Sequence, residues 1–162
     1  MKDQHILITG AAGGIGFVTA ELMLQHGANV TLHYNKSLNQ VQSLIDRYPN
    51  NTLLQSVSAT DEHMIESTIN TAVSKFGVIN VLICNHAVSN DADIPIWSMS
   101  SQQFKSTLDI NLVAYWMYAK YWSRQLKHYV DTHQLNDHDK QSMNACALFV
   151  GSTGMSYCIL YY

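Results

Sequence analysis

The chain has 162 residues, of which 47% are hydrophobic and 13% are charged, and its formal net charge is −3 at pH 7. This length suits one domain that buries its own core, and the composition argues against a disordered chain. A weakly negative charge gives no reason to expect nucleic acid or an anionic membrane as a partner. No apolar run approaches the roughly 20 residues that span a bilayer, and the N-terminus leaves no room for a signal peptide. Together with three cysteines that lack CxxC spacing, this favours the cytoplasm.

Short apolar runs alternate with helical patterns along most of the chain. The predicted strands cover residues 5–9, 29–33, 52–57, 80–84 and 145–150. The predicted helices cover residues 15–26, 37–48, 61–76 and 100–127, and the segments 85–99 and 128–144 are predicted as loops. Strands that alternate with helices of this length indicate an α/β protein, with a parallel sheet and helices on both faces.

Local signals support the helix boundaries. In the first helix Ile15, Val18, Leu22 and Met23 recur at helical spacing, which predicts a helix that ends at Gly27. Ser37 with Gln40 and Ser100 with Gln103 both have the spacing of a capping box, which predicts that helices begin there.

A glycine-rich segment, TGAAGGIG at residues 9–16, follows the first strand and opens the first helix. Gly10 lets the chain leave the strand sharply, Gly14 lets the backbone approach a pyrophosphate, and Gly16 permits close packing of helix on strand. The helix N-terminus then offers free N–H groups and a partial positive charge to phosphates. The segment therefore predicts a dinucleotide-binding turn; a plain strand–helix turn is the structural alternative.

The TGxxxGxG spacing resembles that of the short-chain dehydrogenase/reductase family. Three further segments extend the resemblance over residues 4–154, in the order of the family: Asn85-His86-Ala87-Val88, Asp109-Ile110-Asn111 and Val150-Gly151-Ser152. The resemblance implies a doubly wound, three-layer Rossmann domain with five parallel strands in the order 3-2-1-4-5. Another Rossmann enzyme, such as a methyltransferase, fits this combination of motifs less well.

The resemblance also implies functional residues. Asn111 matches the catalytic asparagine that holds a water in a proton relay, and Ser152 matches the serine that hydrogen-bonds the substrate oxygen. The implied activity is carbonyl reduction or alcohol oxidation on a small-molecule substrate. The cofactor-binding residues that we expect are Gly10, Ala12, Gly14, Ile15, Gly16, Asn35, Lys36, Ser58, Asn85 and Ala87.

The end of the second strand bears on cofactor choice. NAD-selective proteins usually place a carboxylate there for the ribose 2′-OH, whereas this chain has His33-Tyr34-Asn35-Lys36-Ser37 and no carboxylate before Asp46. Asn35 and Lys36 can donate to a 2′-phosphate, so NADP(H) is favoured over NAD(H). Two departures from the family pattern would weaken binding, namely Ser58 in place of aspartate and Val88 in place of glycine.

The catalytic Tyr-x-x-x-Lys of the family has no counterpart. No lysine or arginine follows Ser152, since the last lysine is Lys140 and the last arginine is Arg124. We therefore expect a truncated, catalytically impaired member, with an NAD(P)-binding domain at residues 1–154 and an apolar tail at 155–162. The fifth strand is then expected to leave an unpaired edge, with marginal stability or oligomerisation as the result.

Two alternatives concern partners. The chain could be a non-catalytic binding module that pairs with a second copy or a full-length relative through helix 100–127, since in the family this helix helps to form a dimer interface. The histidines 128, 133 and 138 invite a metal site, but their spacing of five does not place them on one helix face. We expect no metal.

Overall fold

The computed structural model describes residues 1–36, 38, 40–89, 96–151 and 159–161. The strands are β1 His5–Ile8, β2 Asn29–Tyr34, β3 Thr52–Ser56, β4 Val81–Cys84, β5 Cys146–Phe149 and β6 Ile159–Tyr161. The helices are α1 Gly14–Gln25, α2 Gln42–Arg47, α3 Glu62–Phe76, α4 Ser101–Leu108, α5 Ala114–His133 and α6 Asp137–Ser142. A 3₁₀ turn lies at Ile96–Ser98, and a π-helical turn, Asp109–Val113, joins α4 to α5. None of the helices in the described ranges is long and apolar enough to cross a membrane.

All strands lie in one sheet with the order β3-β2-β1-β4-β5-β6. The first five are parallel, with Ile6 of β1 opposite Val30 of β2 on one side and Val81 of β4 on the other. The predicted five-strand order is therefore confirmed. The expectation that β5 forms an unpaired edge is wrong, because the backbone of β6 pairs with β5 in antiparallel direction, with Ala147 opposite Leu160.

Each face of the sheet carries its own hydrophobic core. On one face α1 and α2 pack on β1 and β2, in a cluster that includes the fully buried Ile6, Leu32 and Leu44. On the other face α3 and α5 cover β1 and β4, in a cluster that includes Leu82 and Trp122. Strands buried on both faces are expected to be mostly apolar, as Ile6–Ile8 of β1 and the run VLIC of β4 are.

The helix α1 is present as predicted, but several of the apolar residues that indicate it do not face the core. Ile15 and Val18 are 66% and 62% exposed, and the buried residues are Gly16, Ala20 and Leu24. The helix carries apolar residues on nearly all sides, so periodicity cannot select the face that packs. The small residues Gly16 and Ala20 determine which face of α1 is buried, because they let the helix approach the sheet closely.

Of the two helix starts predicted from capping boxes, one is confirmed and one is wrong. The capping box at Ser100 is confirmed: Gln103 N–H donates to Ser100 Oγ at 3.2 Å, and Ser100 N–H donates to Gln103 Oε1 at 2.9 Å. The predicted start of α2 at Ser37 is wrong, since the helix begins at Gln42 after Val41, which makes no side-chain cap. Ser37 itself lies outside the described residues.

The prediction of a loop at residues 128–144 is also wrong. The helix α5 continues to His133, supported by an ion pair of 2.6 Å between Lys127 and Asp131 one turn apart. The helix α6 follows, and its N-terminus is capped by Asn136, whose Oδ1 accepts from Asp139 N–H at 2.9 Å. Polar composition suggested a loop, but the segment contains an ion pair and a helix cap that support exposed helices.

The core contains one buried hydroxyl that no described residue satisfies, that of Tyr118. Leaving such a group unpaired costs about 1–3 kcal/mol. We therefore expect Tyr118→Phe to leave the free energy of unfolding unchanged or to raise it by about 1 kcal/mol in urea denaturation. As a control, Trp122→Phe removes an Nε1–H that donates to the Ile79 carbonyl at 2.9 Å, and it should destabilise the protein. A loss larger than about 1 kcal/mol in Tyr118→Phe would contradict this interpretation.

Candidate functional site

A cleft of about 310 Å³ lies at the carboxyl ends of the central strands. In open α/β sheets this edge, where the strand order reverses, is the usual place for a ligand. Two larger grooves, of about 630 and 540 Å³, run along α5 instead and are lined mainly by helix side chains. We regard the smaller cleft as the candidate site because loops from four strands converge there. Its lining residues are Gly10, Gly13, His33, Asn35, Ser58, Ala59, Thr60, Asn85, His86, Ala87, Val88 and Ile110.

The glycine turn forms one wall of this cleft, and its glycines meet different surroundings. Gly10 has φ of +65°, and a Cβ there would lie 2.8 Å from the Cα of His86. A Cβ on Gly16 would lie 2.3 Å from the carbonyl oxygen of Gly10, so this position is closed to any side chain. At Gly14, the first residue of α1, a Cβ would meet nothing within 4 Å. Gly10 and Gly16 are therefore required by close contacts with the backbone, whereas Gly14 faces open space.

The hydroxyl of Thr9 joins this turn to the loop after β4. Thr9 Oγ1 accepts from the backbone N–H groups of Asn85 at 2.9 Å and of His86 at 3.2 Å. The side-chain amide of Asn85 donates in return to the carbonyls of Thr9 and Gly10, both at 3.2 Å. The ends of β1 and β4 are therefore fixed to each other at the base of the cleft.

Two buried histidines lie beneath the turn. His33 Nε2 is 2.9 Å from the Val57 carbonyl, and Gly10 N–H donates to His33 Nδ1 at 3.3 Å. His86 Nε2 is 3.0 Å from the Ile110 carbonyl, and its Nδ1 is 2.8 Å from Thr9 Oγ1. Burial lowers the pKa of His86 to about 4 and also holds the pKa of His33 below its ordinary value. Both rings are therefore neutral at pH 7.

Asn111 lies on the π-helical turn and binds the backbone of Val88, which lines the cleft. Val88 N–H donates to Asn111 Oδ1, and Asn111 Nδ2 donates to the Val88 carbonyl, both at 2.8 Å. The side-chain amide is thus used to hold the loop after β4. A π-helical turn often marks a functional position in a helix.

Tyr115, one turn after Asn111, is not among the residues predicted for the site. Its hydroxyl donates to the His86 carbonyl at 2.7 Å and lies 3.2 Å from the Val150 carbonyl, so it connects the ends of β4 and β5. Burial raises the pKa of Tyr115 to about 12. This phenol is a positioning group and a poor base.

The structure brings several of the predicted cofactor residues together. Gly10, Asn35, Ser58, Asn85 and Ala87 all line the cleft. The predicted residues that do not line it lie on the glycine turn or on the segment after β2, and they are Ala12, Gly14, Ile15, Gly16 and Lys36.

Ser152 lies outside the described residues, so its predicted position is untested. The buried residues that sequence reasoning missed are His33 and His86. The available signal was a polar residue at the carboxyl end of an apolar strand, which is where loops build sites in α/β proteins.

The chain is similar to known proteins over most of its length. A family model described as enoyl-(acyl carrier protein) reductase matches residues 10–132. The chain is 31% identical over 127 residues to the mitochondrial borneol dehydrogenase of Lavandula x intermedia, which covers 76% of this chain and 47% of that protein. It is 29% identical to a probable NADP-dependent mannitol dehydrogenase of Yarrowia lipolytica, over 75% of this chain and 44% of that protein.

A solved structure shows the same fold. A short-chain dehydrogenase/reductase of the glucose/ribitol dehydrogenase type from Brucella melitensis superposes with a TM-score of 0.71 at 24% identity, over 77% of this chain and 52% of that one. The chain therefore belongs to the short-chain dehydrogenase/reductase family. It spans slightly less than half the length of the two curated relatives named above.

The unequal surroundings of the glycines lead to a prediction about folding. Gly16→Ala should lower the free energy of unfolding by about 1–3 kcal/mol, because its Cβ meets a backbone oxygen that cannot move freely. Gly14→Ala is the matched control, and it should be neutral or stabilise by up to about 1 kcal/mol, since alanine favours a helix. Urea unfolding of the two variants measures this. Equal losses in both would mean that the turn is not packed as described.

Proposed function

We propose that the cleft binds a nicotinamide dinucleotide, with NADP(H) preferred over NAD(H), as part of an oxidoreductase acting on small carbonyl or alcohol compounds. The observation that carries the proposal is the fixed glycine turn with Gly14 facing open space at the start of α1. Such a turn lets the pyrophosphate approach the backbone without a steric cost.

The N-terminus of α1 suits an anionic group. Its N-cap is Gly13, which makes no side-chain hydrogen bond, and its first turn contains no acidic residue. The first N–H groups of a helix have no partner within the helix, so they remain available to phosphate oxygens. By contrast, α3 is capped by Asp61, whose Oδ1 accepts from Met64 N–H at 3.0 Å. The exposed Ile15 next to Gly14 gives the proposed site an apolar side chain as well.

The preference for NADP(H) is supported by the wall of the cleft that follows β2. Asn35 lines the cleft, Lys36 is exposed beside it, and no carboxylate is among the lining residues described. A carboxylate there would repel a 2′-phosphate, whereas an amide and an ammonium group can donate to it. Ser58 lines the same cleft, with its hydroxyl 3.1 Å from that of Thr60, and can offer a hydrogen bond to a ligand there.

When bound, the cofactor would supply a hydride to the substrate carbon or remove one from it. In this chain Asn85 would hold the sheet geometry beside the ribose, and Ala87 would line the groove. We propose that Asn111 fixes the loop beside the reacting groups and contributes to the proton relay of the family. Ser152 would hydrogen-bond the substrate oxygen.

We further propose that the contribution of these 162 residues to the reaction is to bind and position the cofactor. The resembling family uses Tyr-x-x-x-Lys, and no cation follows Ser152 in the sequence. Tyr115 does not replace this tyrosine, since its hydroxyl donates to a backbone carbonyl and its pKa is raised to about 12. The division into a binding domain at 1–154 and a tail at 155–162 belongs to the same proposal.

A cytoplasmic location also remains a proposal. Its support is that Cys84 and Cys146 are free thiols in the described part of the chain, as expected in a reducing compartment.

The alternative is an interaction module that pairs with a second copy or a full-length relative. One observation favours it: Phe104, Leu108, Leu112 and Trp116, four residues apart along α4, the π turn and α5, are 55%, 39%, 58% and 58% exposed. In an α-helix every fourth residue shifts by about 40° around the axis. The π turn rotates less per residue than an α-helix and so offsets part of this shift. The four apolar side chains therefore stay on one side of the helix. Large exposed apolar patches often mark protein interfaces.

The cofactor proposal predicts a charge effect at Lys36. Lys36→Glu should weaken NADP+ binding about tenfold, which corresponds to about 1.4 kcal/mol, and should change NAD+ binding little, because only NADP+ carries the 2′-phosphate. Isothermal titration calorimetry measures both dissociation constants. Lys2→Glu is the control: it makes the same charge change before β1, at the opposite edge of the sheet. Equal effects of the two variants, or no NADP+ binding by the unaltered chain, would reject the proposal.

The alternative predicts that Trp116→Glu abolishes self-association in analytical ultracentrifugation, because a charge cannot be buried in an apolar interface. Val18→Glu, equally exposed on α1, should leave association unchanged. A monomeric unaltered chain would contradict pairing between copies. Clear NADPH-dependent turnover of ketones or aldehydes, lost in Ser152→Ala, would reject a purely non-catalytic module.

A further inference from the structure

We propose that His33 is a positioning residue for the dinucleotide, whose Nδ1 fixes the Gly10 amide and with it the phosphate-binding turn. This inference rests on the proposed function, and it assigns a role to a side chain that the glycine pattern does not include.

The contacts of His33 connect two strand ends to the turn. Its ring accepts the Gly10 N–H at 3.3 Å, and its own backbone carbonyl accepts the Ala11 N–H at 2.9 Å. On the other side, Nε2 lies 2.9 Å from the Val57 carbonyl, just beyond β3. The first two peptides of the turn are therefore held by one residue of β2. Without the ring, the partly buried Gly10 N–H would lose this acceptor.

Only one protonation state of His33 fits these contacts. The Gly10 amide is a donor, so Nδ1 must carry a lone pair, and the Val57 carbonyl is an acceptor, so Nε2 must carry the proton. This is the neutral Nε2–H tautomer. The ring is 1% exposed, and burial disfavours the charged form that would place two donors against each other.

Neighbouring rings prevent His33 from leaving this position. The centroid of His86 lies 5.9 Å and that of Tyr118 5.6 Å from the centroid of His33, and the last two rings are 5.8 Å apart. Gly10 itself rests on the backbone of His86, where a Cβ would be 2.8 Å from the Cα. The turn is thus fixed by hydrogen bonding to His33 and by contact with His86.

Two substitutions separate positioning from packing. In His33→Asn the amide stands near the position of Nδ1 and can still accept from Gly10, but the bond to Val57 is lost. In His33→Gln the amide reaches the position of Nε2 and can still donate to Val57, but the acceptor for Gly10 is lost. Each variant loses one of two hydrogen bonds, so their losses of unfolding free energy in urea should be similar.

Their affinities should differ. We expect His33→Asn to bind NADP+ within about threefold of the unaltered chain and His33→Gln to bind about tenfold more weakly, measured by calorimetry. Losses of affinity that are equal in the two variants and follow their losses of stability would overturn the positioning role.

A second measurement works without cofactor. In amide NMR spectra of the free protein, the Gly10 resonance should move in His33→Gln and stay close to its original position in His33→Asn. Imidazole spectra should show His33 as the Nε2–H tautomer at pH 7. If the Gly10 resonance responds to neither variant, the inference is wrong whether or not NADP+ binds. If it responds as expected and no NADP+ binds, His33 still fixes the Gly10 amide, but the proposed function fails and with it the role of His33 toward the dinucleotide.

Discussion

The hydroxyl of Thr9 is the contact on which the site depends most. It accepts the N–H groups of Asn85 and His86 and so joins the end of β1 to the loop after β4, although these segments are more than 70 residues apart in sequence. Because Thr9 is fully buried, no water competes for these bonds. The same contact places Asn85 against the turn and His86 under Gly10. Turn, loop and cleft therefore form one hydrogen-bonded unit at the edge of the sheet.

Much of the fold was predictable because parallel strands buried on both faces are mostly apolar, and because the glycine turn marks the start of the first helix. The remaining features depend on contacts that one segment does not reveal. The buried face of α1 is chosen by the close approach of Gly16 and Ala20 to the sheet, not by its apolar period. The extension of α5 carries an ion pair between Lys127 and Asp131, and the antiparallel β6 pairs with the backbone of β5. The π turn gives no compositional signal.

Site residues were predictable from the sequence where the backbone conformation requires one residue type. Gly10 and Gly16 are required by positive φ and by steric contact, so their spacing could be read directly. The roles of His33 and His86 could not, since a histidine becomes a neutral structural group only through the carbonyls of Val57 and Ile110, which the fold brings to it. Asn111 was expected on the strength of resemblance, but its partner, the Val88 backbone, appears only in the structure.

Titration of the isotopically labelled protein with NADP+, followed by amide NMR, tests the central claim most directly. Binding at the cleft predicts saturable shifts that are confined to the glycine turn, Asn35 and Lys36, and the loop from Asn85 to Val88. Shifts concentrated in the larger groove between α3 and α5, or no saturable shifts, would contradict a dinucleotide site at the carboxyl ends of these strands.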